Sequence, residues 1–284
     1  MSQEFWINPP WANGKGGYQM GLGPLPAEAF CAEVISAFEQ NAKLDLLTTR
    51  FSEVVRALPE SGRAQELLAE TLSVPPCPSE LTDWMEPLSD QGARSLVTSA
   101  LRVPEDLCLM QKDQGEYRLV AACVCAPSHW ALAEKIGKPL EEIHEEVEGL
   151  NKALAPRMRA FFNKLPAERV FVRRNWLLHS DDTLFHPQPE VRQQLSTRTE
   201  AEALIVRSET QMLKRLDEHH VVFSIGVKCY PLVDIYAYPA AAKAMKEALL
   251  SRTDEEREEA DQPSYEHAVL EMLELAATDA ARGA

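Results

Sequence analysis

Leu107-Cys-Leu-Met-Gln-Lys-Asp-Gln-Gly-Glu-Tyr-Arg-Leu-Val-Ala-Ala-Cys-Val-Cys125 holds two apolar runs divided by a short polar stretch that ends in a glycine. Runs of this length bounded by turn residues predict strands at 107–111 and 117–125 joined by a turn at 112–115, which is a β-hairpin. Cys123 and Cys125 alternate within the second run and read as small buried hydrophobes. The hairpin is the seed of a sheet, and the search for further strands moves outward from it.

Downstream, residues 169–178 are rich in Val, Phe and Trp and lie between Pro166 and Ser180-Asp181-Asp182, so they predict a strand. Residues 221–227 read as another strand, and 201–216 between them read as a helix. The stretch after the hairpin predicts short helices at 130–136 and 140–147, split by Gly137-Lys138-Pro139, and a longer one at 153–164. Upstream, a Gly-rich arm at 14–23 precedes helical patterns from 27 to 72, interrupted near Asn41 and at 59–62, and a helix at 90–101 follows the break at Pro75, Pro76 and Pro78. Helices at 240–250 and 265–277 flank an acidic run at 254–261 that reads as a solvated linker or helix face. The fold class expected is α+β: an antiparallel sheet with flanking helices, an N-terminal helical cap and C-terminal helices.

The chain of 284 residues carries 29 Lys and Arg against 44 Asp and Glu, a net charge of -15. That charge repels phosphate backbones and anionic lipid, so no nucleic-acid or membrane partner is expected, whereas a basic protein or a cationic amine is attracted. No stretch reaches the roughly 18 apolar residues of a membrane span and the start is not a secretory leader, so a cytoplasmic location is expected. The six cysteines have no CxxC spacing and indicate neither a zinc site nor a disulfide framework. The glycines of the arm follow no strand and lack the GxGxxG spacing, which rules out a dinucleotide fingerprint there.

Leu140, Ile143 and Val147 repeat at helical spacing, and His144 lies one turn after Leu140 on the inward border of that helix. By periodicity alone it is either a satisfied core histidine or a metal ligand.

Several separate stretches carry a resemblance. They are Tyr18-Gln-Met-Gly-Leu-Gly-Pro-Leu25, Glu105-Asp-Leu-Cys-Leu109, Pro127-Ser-His-Trp130, Glu134-Lys-Ile-Gly-Lys-Pro-Leu140 with Ile143-His144, Arg174-Asn-Trp176, and Val206-Arg-Ser-Glu-Thr-Gln-Met-Leu213. In these the chain resembles the alpha subunit family of haem-dependent oxidative N-demethylases. The resemblance implies a PAS-like antiparallel sheet with helices on one side, similar to haem-based gas sensors. It divides the chain into an arm and cap (1–102), a PAS-like haem-binding core (103–235) and a C-terminal helical extension (236–284).

It further implies haem b with His144 as its axial metal ligand. Lys135, Lys138, Trp130 and Arg173 join His144 as the cofactor-binding set: the lysines face the propionates, and Trp130, like Trp176, is a packing anchor rather than an electron relay. Arg173 and Arg174 alternate along their strand, so only one faces the pocket. Arg174 and Arg207 are the candidate catalytic cations, because a buried guanidinium binds the negative charge that develops on activated dioxygen. Glu209 is the candidate acceptor for a protonated secondary amine. The chain contains no flavin or iron–sulfur motif, so the implied electron source is a separate reductase carrying flavin or an iron–sulfur centre.

Two departures from the family pattern stand out. Glu145-Glu-Val-Glu148 replaces a Pro-Val-Pro turn, and Gly226 replaces an arginine in the strand from Phe223 to Tyr230. The strand is expected to border the pocket, which implies a substrate other than a simple dimethylated amine. Two other readings compete with amine oxidation. One is a haem gas sensor or binding protein without turnover, against which no output module is visible. The other is a non-haem iron oxygenase, in which His179 and Asp181 with His219 or His220 imitate a two-histidine, one-carboxylate triad.

Overall fold

The computed structural model describes residues 2–12, 20–74, 92–143, 148–190 and 193–278. They build a seven-stranded sheet in which every pairing is antiparallel, with helices against it. The strands are β1 (Gly23–Pro26), β2 (Val55–Ala57), β3 (Asp106–Asp113), β4 (Glu116–Cys123), β5 (Arg169–His179), β6 (Ile205–Arg215) and β7 (His220–Pro231). They run in the order β1-β5-β6-β7-β3-β4-β2 across the sheet.

The hairpin that opened the sequence reading is β3–β4. Its loop is the pair Gln114-Gly115, with φ of 48° and 94°. Positive φ at both positions is the type I′ geometry whose twist matches the flanking strands, and glycine takes it without steric cost. A register shift between Leu109 and Met110 marks a bulge in the same hairpin.

The segment expected to be a helix at 201–216 is instead a short helix, Arg198–Glu202, followed by the eleven-residue strand β6. Ile205 and Val206 recur at Met212 and Leu213, a spacing of seven that imitates a helical stripe, and the residues between them are polar. Pairing on both sides with β5 and β7 overrides that local pattern. The short strands β1 and β2 were likewise read within an arm and a helical tract. Elsewhere the expected helices form as Ala37–Thr49, Gly62–Thr71, Arg94–Ala100, Leu132–Lys135, Leu140–Ile143, Glu148–Lys164, Pro239–Leu250 and Glu266–Ala276. The acidic run forms the helix Asp254–Glu259, started by a capping box between Thr253 and Glu256.

Directly paired residues share a sheet face. One face carries Leu107, Leu109, Ala121, Cys123, Val170 and Val222 at one end, packed against the N-terminal helices. At its other end Trp176, Leu178 and Val206 meet the C-terminal helices and the helix Ser2–Ile7. There Phe5 stacks on Tyr230 with centroids 3.8 Å apart, and Trp11 meets Trp176 edge-on at 5.0 Å while its indole N–H donates to the Ala241 carbonyl. The opposite face carries Cys108, Met110, Leu213 and Val221, covered by Leu132, Phe162 and Leu165. Helices therefore flank both faces of the sheet, not one. Among the described residues no helix is long and apolar enough to cross a membrane.

Leu109 is fully buried at the centre of the sheet, and Phe38 on an outer helix is 80% exposed. Leu109→Ala should lower stability by about 2–5 kcal/mol. Phe38→Ser should change it by less than about 0.5 kcal/mol. Urea unfolding of both variants checks the contrast, and equal effects would contradict the assigned core.

Candidate functional site

The β5–β6 ladder decides which polar side chains meet. Arg173 pairs with Gln211, Asn175 with Glu209 and Leu177 with Arg207, so Arg173, Asn175, Arg207, Glu209 and Gln211 share one face. Arg174 pairs with Thr210 on the other face. There its guanidinium donates to the Asn8 carbonyl at 2.7 Å and the Pro9 carbonyl at 3.2 Å, tying down the N-terminal segment. The structure thus brings Arg207 and Glu209 together and leaves Arg174 apart from them. Gly226 pairs with Thr210 and so lies on the Arg174 face; a Cβ there would stand 3.4 Å from Cγ of Glu105. The departure at Gly226 therefore bears on buried Glu105 rather than on Glu209.

Arg207 is fully buried, and burial disfavours its charge. Its N–H groups are nonetheless well supplied. Nε donates to Ser128 Oγ at 2.9 Å; Nη2 donates to the carbonyls of Ala126 at 2.7 Å, Leu184 at 3.0 Å and Pro127 at 3.2 Å; Nη1 donates to Thr183 O at 3.3 Å. Asp106 holds the same turn from its amide side, accepting from the N–H groups of Cys125 and Ala126 at 2.8 Å each. One arginine and one aspartate therefore fix the segment leaving β4 against the segment leaving β5.

Glu209 lies next to this clamp. Ser128 Oγ donates to Oε1 at 2.5 Å, and Gln211 Nε2 donates to Oε2 at 2.7 Å with Asn175 Nδ2 at 3.5 Å. Arg173 is half-buried, and desolvation lowers its pKa against the favourable field of Glu209. Among the described residues it makes no hydrogen bond or ion pair. Beside it the face is lined by half-buried Leu22, Trp130, Ile143, Phe161, Phe171 and Phe223. An apolar, aromatic surface next to an unpaired guanidinium fits a flat macrocycle that carries anionic groups, as haem does.

Of the other expected cofactor residues, Lys138 is half-buried and Lys135 is buried. Trp130 packs at the edge of the core on this face. His144 lies outside the described residues, immediately after the helix Leu140–Ile143.

The two-histidine, one-carboxylate set read from the sequence does not assemble. His179 ends β5 beside Ile205, whereas His219 and His220 sit at the opposite end of the β6–β7 ladder, where His220 Nδ1 lies 2.8 Å from Asp217. Asp181 pairs instead with His186 at 3.2 Å. What gathers around His179 is His129, His186 and Glu190. Burial and the neighbouring His179 pull the His129 imidazole down to about 4, which leaves it neutral at neutral pH. Sequence reasoning missed Ser128, His129 and Glu190, although Ser128 and His129 stand inside Pro127-Ser-His-Trp130; their partners are contributed by segments far along the chain.

A family model described as haem-dependent oxidative N-demethylase, alpha subunit-like, matches residues 43–270. The match encloses Ser128, Arg173, Arg207 and Glu209. No protein of curated function matches the chain.

Removing the Arg207 guanidinium should unpin two loops at once. Arg207→Met should cost about 3 kcal/mol or more by leaving the carbonyls of Ala126, Pro127, Thr183 and Leu184 and the Ser128 hydroxyl without their donor. Arg207→Lys should recover part of that, since the charge returns without the planar fork. Arg174→Ala, which releases only Asn8 and Pro9, should cost about 1 kcal/mol or less. Chemical denaturation ranks the three; a ranking with Arg174→Ala as the most damaging would refute the clamp.

Proposed function

This chain belongs to the haem-dependent oxidative N-demethylase alpha subunit-like family, and we propose that it binds haem b and uses dioxygen to oxidise a small amine, with electrons from a separate reductase. The reading adds to the family's oxidative character a location, the sheet face shared by Arg173 and Glu209. The observation that carries it is half-buried Arg173, which has no hydrogen-bond or ion-pair partner among the described residues and shares its sheet face with Glu209 and Phe171. A PAS-like core is supported by the strand order: the hairpin β3–β4 is followed by helices and then by the meander β5-β6-β7, whose last strand returns to pair with β3.

His144 would hold the haem iron, on its family motif and its place in the sequence after the helix Leu140–Ile143. Lys138 is the lysine assigned to a propionate, because Lys135 is buried. Trp130, which packs against the apolar cluster on this face, would contribute apolar surface to the macrocycle. Haem, when bound, supplies the activation of dioxygen and the redox capacity that a side chain lacks.

The remaining work falls to the protein. Arg173 holds a positive charge on this face with no hydrogen-bond or ion-pair acceptor among the described residues, so it is available to negative charge that develops there. Glu209 has two donors on Oε2 and one on Oε1, and its carboxylate is placed to accept a hydrogen bond from a cationic amine and to take up its proton. Ser128 Oγ and Gln211 orient that carboxylate. Arg207 acts through Ser128 and is a positioning residue, since its own N–H groups are occupied by carbonyls. Arg174 takes no part in the reaction under this reading. For an N-methyl amine the balance is one dioxygen, two electrons and two protons consumed, with water, formaldehyde and the shortened amine released.

Haem titration of the full chain, followed at the Soret band, tests the reading. Wild-type protein should take up haem with a histidine-ligated spectrum that changes in His144→Ala. Loaded protein given a reductant, oxygen and methylated amines should release formaldehyde. Glu209→Gln should lower kcat/KM by about 10²-fold or more, and Arg173→Ala by a similar factor. Refusal of haem, or an unchanged Soret band in His144→Ala, would sink the proposal; haem binding without any product would favour a gas-binding role.

A further inference from the structure

The clamp around Arg207 brings a second set of groups together. The segment after β4 contributes His129, the last residue of β5 is His179, and the segment that follows contributes Glu190. Their ligand atoms all lie within 4.8 Å of one another. The two imidazole rings stack with centroids 4.7 Å apart and planes inclined at 22°. His179 Nδ1 is 3.0 Å from a Glu190 oxygen.

Three features set this group apart from ordinary core histidines. His179 is fully buried, yet among the described residues neither of its ring nitrogens has a hydrogen-bond partner, and buried His129 Nε2 has none. The 3.0 Å approach of His179 to Glu190 is thus a contact without hydrogen-bond alignment. Buried polar atoms are almost always paired, so several orphans aimed at one point call for a missing partner. His129 also has a φ of 65°, a left-handed conformation uncommon for a residue other than glycine.

The outer shell is in place. Glu190 accepts from Ser180 Oγ at 3.0 Å, and the His129 N–H donates to the His186 carbonyl at 2.8 Å. Such outer contacts fix how ligands present their lone pairs. Two imidazoles and one carboxylate are the donor set of a borderline divalent ion. Tetrahedral bonds of about 2.0–2.2 Å would put neighbouring ligand atoms roughly 3.3–3.6 Å apart. The His179–Glu190 spacing of 3.0 Å lies just inside this and the other ligand atoms lie within 4.8 Å, so modest side-chain rotations reach it.

We infer that His129, His179 and Glu190 bind a Zn2+-class divalent metal ion that ties residues 126–129 to residues 180–190. The site is separate from the haem reading, since none of its ligands is assigned to haem. It reinforces the junction that Arg207 clamps from below, and its fourth position is left to water or to His186, whose ring stands 5.0 Å from that of His179.

The test uses tag-free, haem-free, full-length protein stripped with a chelator and titrated with Co2+, then with Zn2+. About one equivalent of Co2+ should give visible ligand-field bands that Zn2+ bleaches, and Zn2+ should raise the melting temperature. His129→Ala and the near-isosteric Glu190→Gln should each weaken Co2+ binding by at least about tenfold. His219→Ala, at the far end of the sheet, should bind as the wild type does. Circular dichroism confirms that each variant is folded before titration, and Glu190→Gln keeps the packing should His129→Ala lose it. Wild-type protein that develops no ligand-field bands, or variants that bind as tightly as wild type, would overturn the assignment.

Discussion

A guanidinium buried in the middle of a sheet is the constraint on which the site depends. Arg207 lies on a central strand with β5 on one side and β7 on the other, and no solvent reaches it. Its charge is tolerable only if its five N–H donors find acceptors. Neither neighbouring strand can supply them, since their carbonyls are used in the ladder. The acceptors come from carbonyls at 126, 127, 183 and 184, in segments that no regular structure would otherwise hold. Burying one charge thus determines the path of two loops, and those loops present Ser128 to Glu209 and His129 to His179.

The same logic explains why the polar residues form a belt between apolar ends. Asp106, Ser208, Glu209 and Ser224 are all buried, with apolar clusters above and below them in the sheet. Each belt carboxylate is matched differently. Asp106 accepts two backbone N–H groups, and Glu209 accepts from Ser128 and Gln211. Glu105 keeps one oxygen without a hydrogen bond, and burial raises its pKa. It is this residue that Gly226 adjoins, so the family's arginine is missing beside the least satisfied carboxylate of the belt.

Much of the frame was legible in the sequence because its signals are local. The β3–β4 hairpin, β5, β7 and the two long C-terminal helices follow from apolar runs and their turn residues. Strand β6 was not legible, because its apolar pairs recur at a helical interval and the pairing that decides the matter is with other strands, β5 earlier in the chain and β7 after it. At the site, alternation showed that Arg173 and Arg174 oppose each other, but not which of them faces Glu209; that depends on the register with β6. Glu190 carried no local signal, and His129 stands in a matched stretch with none of its metal-binding partners near it in sequence. They meet only because Arg207 draws their segments together.

Three of the arginines on β5 and β6, Arg173, Arg174 and Arg207, separate structure from chemistry. Arg174 is used on the carbonyls of Asn8 and Pro9, and Arg207 on four carbonyls and a hydroxyl. Arg173, one position from Arg174 and directly across from Gln211, is half-buried with no such partner among the described residues. Desolvating a cation without pairing it costs stability, and a stable fold gains nothing from leaving it so. The cost makes sense if the partner arrives with a ligand, on the face where the aromatic surface and the Glu209 carboxylate already stand.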